Sequence, residues 1–280
     1  MTEAAVQRRF RQVDVFGAGP GQGNALAVVV DGDGLTTEQM QRFAAWTNLA
    51  ETTFLLPATA DGADYRVRIF TTGTELPFAG HPTLGSAHAW LATGGVQAAA
   101  GRLVQQCGVG LVELREDDGG TWAFAAPPLR RYERPDGATL GRAVDALGLA
   151  GDDVVAASWM ENGPPWLALR LRTAVDVLAV RPRYERFGEL RLGVVAAPGS
   201  GGADVEVRAF TVDGGEDPVT GSLNAGLARW LTDTGVVSTP YLAAQGTALG
   251  RAGRVRVTAA DGELWVGGAV TTVISGTVDL

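Results

Sequence analysis

Apolar residues fall along the chain in short blocks of strand length, with a few stretches spaced for helices. Residues 13–16 and 26–30 read as strands, the second continuously apolar and closed by Asp31-Gly32-Asp33-Gly34. Thr36 followed by Gln39 has the spacing of a capping box and opens a helix to about Asn48. Residues 52–56 and 65–70 alternate as strands. Pro82 at a first helical position then starts a helix over 83–91, which Gly94-Gly95 ends. Further strands are expected over 101–114 and 121–125, with Gly119-Gly120 as a turn. The second half reads as strand, helix and strands, a helix over about 223–231, and a β-rich tail over 254–278.

That similarity between halves is visible in the letters themselves. Val67-Arg68-Ile69-Phe70-Thr71 returns as Val207-Arg208-Ala209-Phe210-Thr211, and at the same offset Trp90-Leu91 meets Trp230-Leu231 and Gly95 meets Gly235. Two glycine turns, Ala79-Gly80-His81-Pro82 and Thr220-Gly221-Ser222-Leu223, are out of step by one residue. A looser pair is Gly23-Asn24-Ala25-Leu26-Ala27-Val28 with Asn162-Gly163-Pro164-Pro165-Trp166-Leu167. An α+β protein of two matched halves follows, residues 1–120 and 121–280, with a terminal strand able to pack on the other half. The crossover is expected at Pro135-Asp136-Gly137 or near Gly119. The site is expected in a cleft between the halves, where backbone N–H groups at the helix starts favour an anion such as a carboxylate.

Composition narrows the chemistry. All 23 basic residues of the 280 are arginine, so imine-forming lysine catalysis and a lysine-bearing phosphate loop are excluded. One cysteine, Cys107, and two histidines, His81 and His88, leave too few ligands for a structural Cys/His zinc site, and no metal is expected. A net charge of -8 opposes nucleic-acid binding. The one tight basic group, Arg8, Arg9 and Arg11, reads as a solvated N-terminal tail. No aliphatic run approaches bilayer length, and residues 1–12 lack a signal-peptide core. A soluble cytoplasmic protein without membrane contact is expected.

Four side chains could carry chemistry. Glu51 stands where the first long helix gives way to a strand. An acid there ordinarily faces solvent, but the matching stretch Leu190-Arg191-Leu192-Gly193-Val194 has no carboxylate. A single acid in one half suits a single base. His81 in its glycine turn reads either as a capping imidazole or as a donor beside the anion site. Asp217 and Ser222, in Glu216-Asp217-Pro218-Val219-Thr220-Gly221-Ser222, read as caps or as polar partners of that base. The glycine-rich stretch 17–23 lacks dinucleotide-fingerprint spacing and reads as a flexible loop. Cys107 reads as a buried strand residue, His88 as packing or surface, and Glu75 as a group that orients its loop.

The segments Val13-Asp14-Val15-Phe16, Gly23-Asn24, Asn48-Leu49-Ala50-Glu51-Thr52-Thr53-Phe54, Glu75-Leu76-Pro77-Phe78-Ala79-Gly80-His81-Pro82-Thr83-Leu84-Gly85 and Asp217-Pro218-Val219-Thr220-Gly221-Ser222 together resemble the PhzF family. These are the phenazine-biosynthesis isomerases and their relatives, which share the diaminopimelate epimerase fold. The resemblance implies two similar halves, each a curled mixed sheet around a central helix, with a cofactor-free mechanism and commonly a homodimer. It implies that the acid at Glu51 moves a proton within a small unsaturated carboxylate substrate. His81, Asp217 and Ser222, with backbone near Gly73, Gly80 and Gly221, would bind substrate or help move protons. Epimerases of this fold place a cysteine just before each turn glycine, where this chain has Ala79 and Thr220. Ala25 stands where many relatives carry proline. Alternatives are an epimerase or racemase using Glu51 with a second base such as Asp217, or a retired carboxylate-binding or scaffold protein.

Overall fold

The computed structural model describes residues 5–117, 119–212 and 214–280. The chain separates into two compact units, one running to Ala125 and rejoined by Gly267–Leu280, the other Ala126–Val266.

In the first unit, Gln7–Val15 (β1) pairs antiparallel with Asn24–Val29 (β2) on one side and with the C-terminal strand Val270–Asp279 on the other. Thr37–Thr47 (α1) carries the chain back so that Glu51–Leu56 (β3) lies parallel to β2. The capping box forms as expected: Thr36 Oγ1 accepts from Gln39 N, and Gln39 Oε1 accepts from Thr36 N. Helix α1 buries Met40, Phe43 and Ala44 against Val29, Phe54 and Phe70. Tyr65–Phe70 (β4) is antiparallel to β3, with the two-residue Glu75–Leu76 (β5) folded back on it. After Gly80–Ala92 (α2), Arg102–Cys107 (β6) runs parallel to β4, and Gly110–Glu116 (β7) and Trp122–Ala125 (β8) complete the meander.

Helix α2 has no polar face. Nine of its thirteen residues are buried, and it packs on β1, β2, β3, β6, β8 and the C-terminal strand, so the sheet wraps it. Gly85 permits this contact. A Cβ there would lie 2.5 Å from Leu26 Cδ2 and 3.0–3.1 Å from Val13 and Val15 methyls.

The second unit begins with Arg131–Glu133 (β9) and Gly137–Ala146 (α3) and then repeats the first unit's pairings. Val154–Glu161 (β10) is antiparallel to Pro165–Leu171 (β11). Ala174–Ala179 (α4) leads to Arg191–Ala196 (β12), parallel to β11. Val205–Phe210 (β13) is antiparallel to β12, Glu216–Asp217 (β14) folds back on it, and Gly221–Asp233 (α5) follows. Tyr241–Gln245 (β15) runs parallel to β13 and antiparallel to Gly253–Ala260 (β16). Glu263–Gly267 (β17) and the C-terminal strand, β18, close the chain.

Four expectations need correction. The segment with Arg8, Arg9 and Arg11 is no tail but part of β1, paired on both sides; Arg8 Nη1 donates to the carbonyls of Asp31 and Asp33, and Arg9 forms a two-bond pair with Asp31. Helix α2 begins at Gly80, so Pro82 is its third residue. The first turn's N–H groups have no intrahelical acceptor, so proline costs nothing there. Asp136 caps α3 by accepting from Thr139 N, so Pro135-Asp136-Gly137 starts a helix. The repeat also changes step: the α2 and α5 starts, Gly80 and Gly221, and their C-caps, Thr93 and Thr234, agree with each other but sit one residue beyond the strand offset. Trp90 therefore matches Leu231, and Gly94 rather than Gly95 matches Gly235. The extra residue lies in the turn between Thr211 and Glu216, whose counterpart runs from Thr71 to Glu75.

Candidate active site

Glu51 is the first residue of β3 and pairs with Leu26 of β2. Strand β3 is anchored on both faces: Thr52 Oγ1 shares a 2.9 Å hydrogen bond with Thr47 Oγ1 of α1, and Ser86 Oγ of α2 donates to Thr53 Oγ1 at 3.0 Å. These bonds set the carboxylate beside the start of α2. His81 Nε2 lies 3.2 Å from Glu51 Oε2, and both side chains are largely shielded, 6% and 17% exposed.

Burial pushes the His81 imidazole down to about 3, so it is neutral at physiological pH. Its place at a helix N-terminus acts in the same direction, because the positive end of the helix disfavours a cation. The ring's other nitrogen fixes the tautomer. Asn24 Nδ2 lies 3.4 Å from His81 Nδ1, and an amide nitrogen only donates, so Nδ1 accepts. Nε2 then carries the proton on the side of Glu51, close to Oε2 but outside hydrogen-bond geometry. His81 is the second residue of α2 and does not cap it; the N-cap is Ala79, which has no side-chain cap bond. The start of α2 is held from behind by a buried chain: Tyr65 OH donates to Gln105 Oε1, Gln105 Nε2 to Thr83 Oγ1, and Thr83 Oγ1 to the Ala79 carbonyl.

In the second unit the corresponding helix start belongs to α5. Thr220 is the N-cap, and Ser222 is the second residue, so Ser222 occupies the place of His81. Its Oγ accepts from Trp166 Nε1 at 3.0 Å, and its carbonyl accepts from Asn162 Nδ2 at 2.9 Å. Asp217 ends β14 opposite Ala209, the place of Leu76 in the first unit. Its Oδ1 accepts from Val219 N and its carbonyl from Gln245 Nε2. Gln245 also accepts from Thr220 N and Asn224 Nδ2, tying the turn to the helix. In register with Glu51 stands Arg191, which pairs with Trp166 as Glu51 pairs with Leu26.

Gly73 is exposed in the β4–β5 turn, and its N–H donates to Thr71 Oγ1. It lines a shallow concavity of about 500 Å³ with Glu38, Arg42 and Phe70; Glu51 and His81 are not in that lining. Glu75 is held by Arg68 through two hydrogen bonds, and Glu216 is held the same way by Arg208. His88 meets Thr272 Oγ1 at 2.8 Å. Cys107 ends β6 half-buried, where burial raises its thiol pKa. The glycine stretch 17–23 is pinned rather than loose: the buried Asp14 carboxylate accepts from Gln22 N and Gly23 N. Asn24, Asp14 and Trp166 are the side chains that sequence reasoning passed over. A polar residue opening or interrupting an apolar strand was the available signal for the first two.

The family model described as phenazine biosynthesis-like protein matches residues 13–276. The chain belongs to this family. It is 33% identical over 290 residues to antisense-enhancing sequence 1 of Schizosaccharomyces pombe, covering 96% of this chain and 98% of the relative. It is 34% identical over 228 residues to the trans-2,3-dihydro-3-hydroxyanthranilate isomerase of Pseudomonas aeruginosa, covering 79% and 78%. Among solved structures, one described as a predicted epimerase from Pseudomonas aeruginosa superposes with a TM-score of 0.81 at 29% identity, over 97% of this chain and 99% of that one. A hydroxyproline epimerase from Agrobacterium vitis, 13% identical with a TM-score of 0.61 over 98% and 93% of the two chains, shares the fold. Among the described residues no helix is long and apolar enough to cross a membrane.

Proposed function

We propose that the chain is an isomerase that moves a proton within a small unsaturated carboxylate, shifting a double bond, in the biosynthesis of a specialised metabolite. The supporting observation is the Glu51–His81 proximity, a shielded carboxylate oxygen 3.2 Å from Nε2 of a neutral imidazole. Glu51 takes the proton from carbon and returns it elsewhere on the same molecule. With substrate bound, His81 serves as a hydrogen-bond donor that aims the carboxylate; as a neutral ring it holds no spare acidic proton at physiological pH. Backbone N–H groups at Gly80 and Gly221 favour anionic groups of the substrate. Ser222 and Asp217 add polar contacts, and no cofactor takes part.

One base suits a shift on a single face of the substrate. Inversion on this fold asks for an acid on the opposite face, and the residues before the turn glycines, Ala79 and Thr220, supply no thiolate. The test is Glu51→Gln with candidate cyclic unsaturated carboxylates in deuterated water, followed by NMR. The unaltered protein should place solvent label at one carbon as the double bond migrates. The variant should lose turnover by several orders of magnitude while still binding. Turnover retained by Glu51→Gln removes the assignment, and label with inversion but no bond migration makes the enzyme an epimerase.

A further inference from the structure

We propose that Trp166 is a positioning residue that fixes the Ser222 hydroxyl as a hydrogen-bond donor toward the substrate carboxylate. This rests on the reading of Ser222 as a substrate ligand. A hydroxyl can donate once and accept twice, so its role depends on its neighbours. The indole N–H can only donate, and at 3.0 Å it occupies a lone pair of Ser222 Oγ. The hydroxyl proton must then point elsewhere, and no described residue receives it. Asn162 holds the Ser222 carbonyl, so the backbone beneath the hydroxyl is fixed as well.

The first unit shows the same device with different residues. There the second residue of α2, His81, has its acceptor nitrogen filled by Asn24 of β2, which leaves the N–H on Nε2, the side on which Glu51 Oε2 lies at 3.2 Å. Here the second residue of α5 has its acceptor filled by Trp166 of β11, the counterpart strand. Trp166 takes the register place of Leu26, and its side chain is only 3% exposed. In both units a donor on the parallel strand sets which way the helix-start side chain offers its proton. A hydroxyl so fixed discriminates: it favours a carboxylate oxygen, which only accepts, over a group that needs an acceptor.

The probes are 3-hydroxyanthranilate and its primary amide, with affinity measured by calorimetry. Trp166→Phe should weaken 3-hydroxyanthranilate roughly 10-fold, the usual worth of one hydrogen bond to a charged group, and change the amide far less. Ser222→Ala should cost about the same, and the double variant no more than either alone. The Trp166 indole N–H, read by NMR, should exchange slowly in the unaltered protein and quickly in Ser222→Ala. Where Trp166→Phe lowers the melting temperature sharply, site-specific 3-benzothienylalanine keeps the ring's shape without the N–H. Losses that add in the double variant, equal losses for acid and amide, or an indole exchange indifferent to Ser222→Ala would each overturn the proposal. If the indole responds to Ser222→Ala but the unaltered protein binds neither probe, the contact is real, and the carboxylate role fails together with the substrate reading.

Discussion

Glu51 at the head of β3 and His81 at the head of α2 meet at 3.2 Å, with Asn24 of β2 at the far side of the imidazole. Three elements of the first unit, β2, β3 and α2, thus converge on one ring. The ring is neutral because burying a cation there costs more than a single nearby carboxylate returns.

That cost makes stability depend on pH. The folded-state pKa of His81 is depressed to about 3 from an ordinary 6.5, so between these values the unfolded chain binds the extra proton. Stability should therefore be fully present above pH 6.5 and fall as pH drops toward 3. From pH 7 to 5 the loss from this residue is about 2 kcal/mol, taking ~1.4 kcal/mol per pH unit. Urea unfolding of the unaltered protein and of His81→Asn at both pH values isolates it. An equal loss in both proteins would show that His81 is not the group responsible.

The tautomer can be reversed without changing shape. Asn24→Asp replaces an amide donor with a carboxylate acceptor beside Nδ1, which draws the proton to Nδ1 and raises the imidazole pKa. Nε2 then presents a lone pair rather than a proton toward Glu51. Nitrogen-15 NMR of the imidazole should show protonated Nε2 in the unaltered protein and protonated Nδ1 in the variant, with turnover reduced at least tenfold. An unchanged tautomer would contradict the role given to Asn24.

Much of the scaffold was legible because it is encoded locally. The Thr36–Gln39 box, the apolar run before Asp31 and the repeated Val-Arg-x-Phe-Thr segments each act within a few residues. The contacts that make the site were not, since Asn24 and His81 are 57 residues apart and Trp166 and Ser222 are 56 apart. Arg8 and Arg9 looked like a tail because nothing nearby in sequence reveals that strand β18 covers one edge of β1. Helix α4 was readable in principle. Thr173 and Asp176 form a capping box there, but six residues carry too little periodicity to fix the bounds of the helix that the repeat implies.

The two central helices each carry glycine at their sixth residue, Gly85 and Gly226, yet alanine should act differently at the two. Alanine gains about 1 kcal/mol over glycine in a helix interior. At Gly85 the new methyl would sit 2.5 Å from Leu26 Cδ2 and about 3 Å from two valines, all fixed in the sheet. Overpacking there should win, destabilising by about 2 kcal/mol. At Gly226 the nearest atom is Met160 Cβ at 3.0 Å, a single tight contact, and the next is the flexible Met160 Sδ at 3.4 Å, which can move aside. Gly226→Ala should fall within about 1 kcal/mol of neutral. Equal losses in denaturant titrations would remove the packing explanation.

A repeated ion pair offers the cleanest internal control on burial. Arg208 grips Glu216 through two hydrogen bonds, stacks on Phe210 at 4.9 Å and donates to the carbonyls of Val177 and Val180. Arg68 grips Glu75 in the same geometry and stacks on Phe70 at 5.0 Å. The chemistry is the same and the exposure is not: the side chains of Arg208 and Glu216 are 6% and 8% exposed, those of Arg68 and Glu75 18% and 40%. Removing one partner of a buried pair strands a desolvated charge, whereas an exposed partner is replaced by water. Glu216→Gln should therefore cost about 3 kcal/mol, the two carbonyls softening the loss, and Glu75→Gln less than about 1 kcal/mol. Raising the salt concentration should shrink the smaller effect and leave the larger one nearly intact, because screening reaches only the exposed pair. Comparable losses at low salt, or equal salt sensitivity, would mean that burial does not govern the difference between the two units.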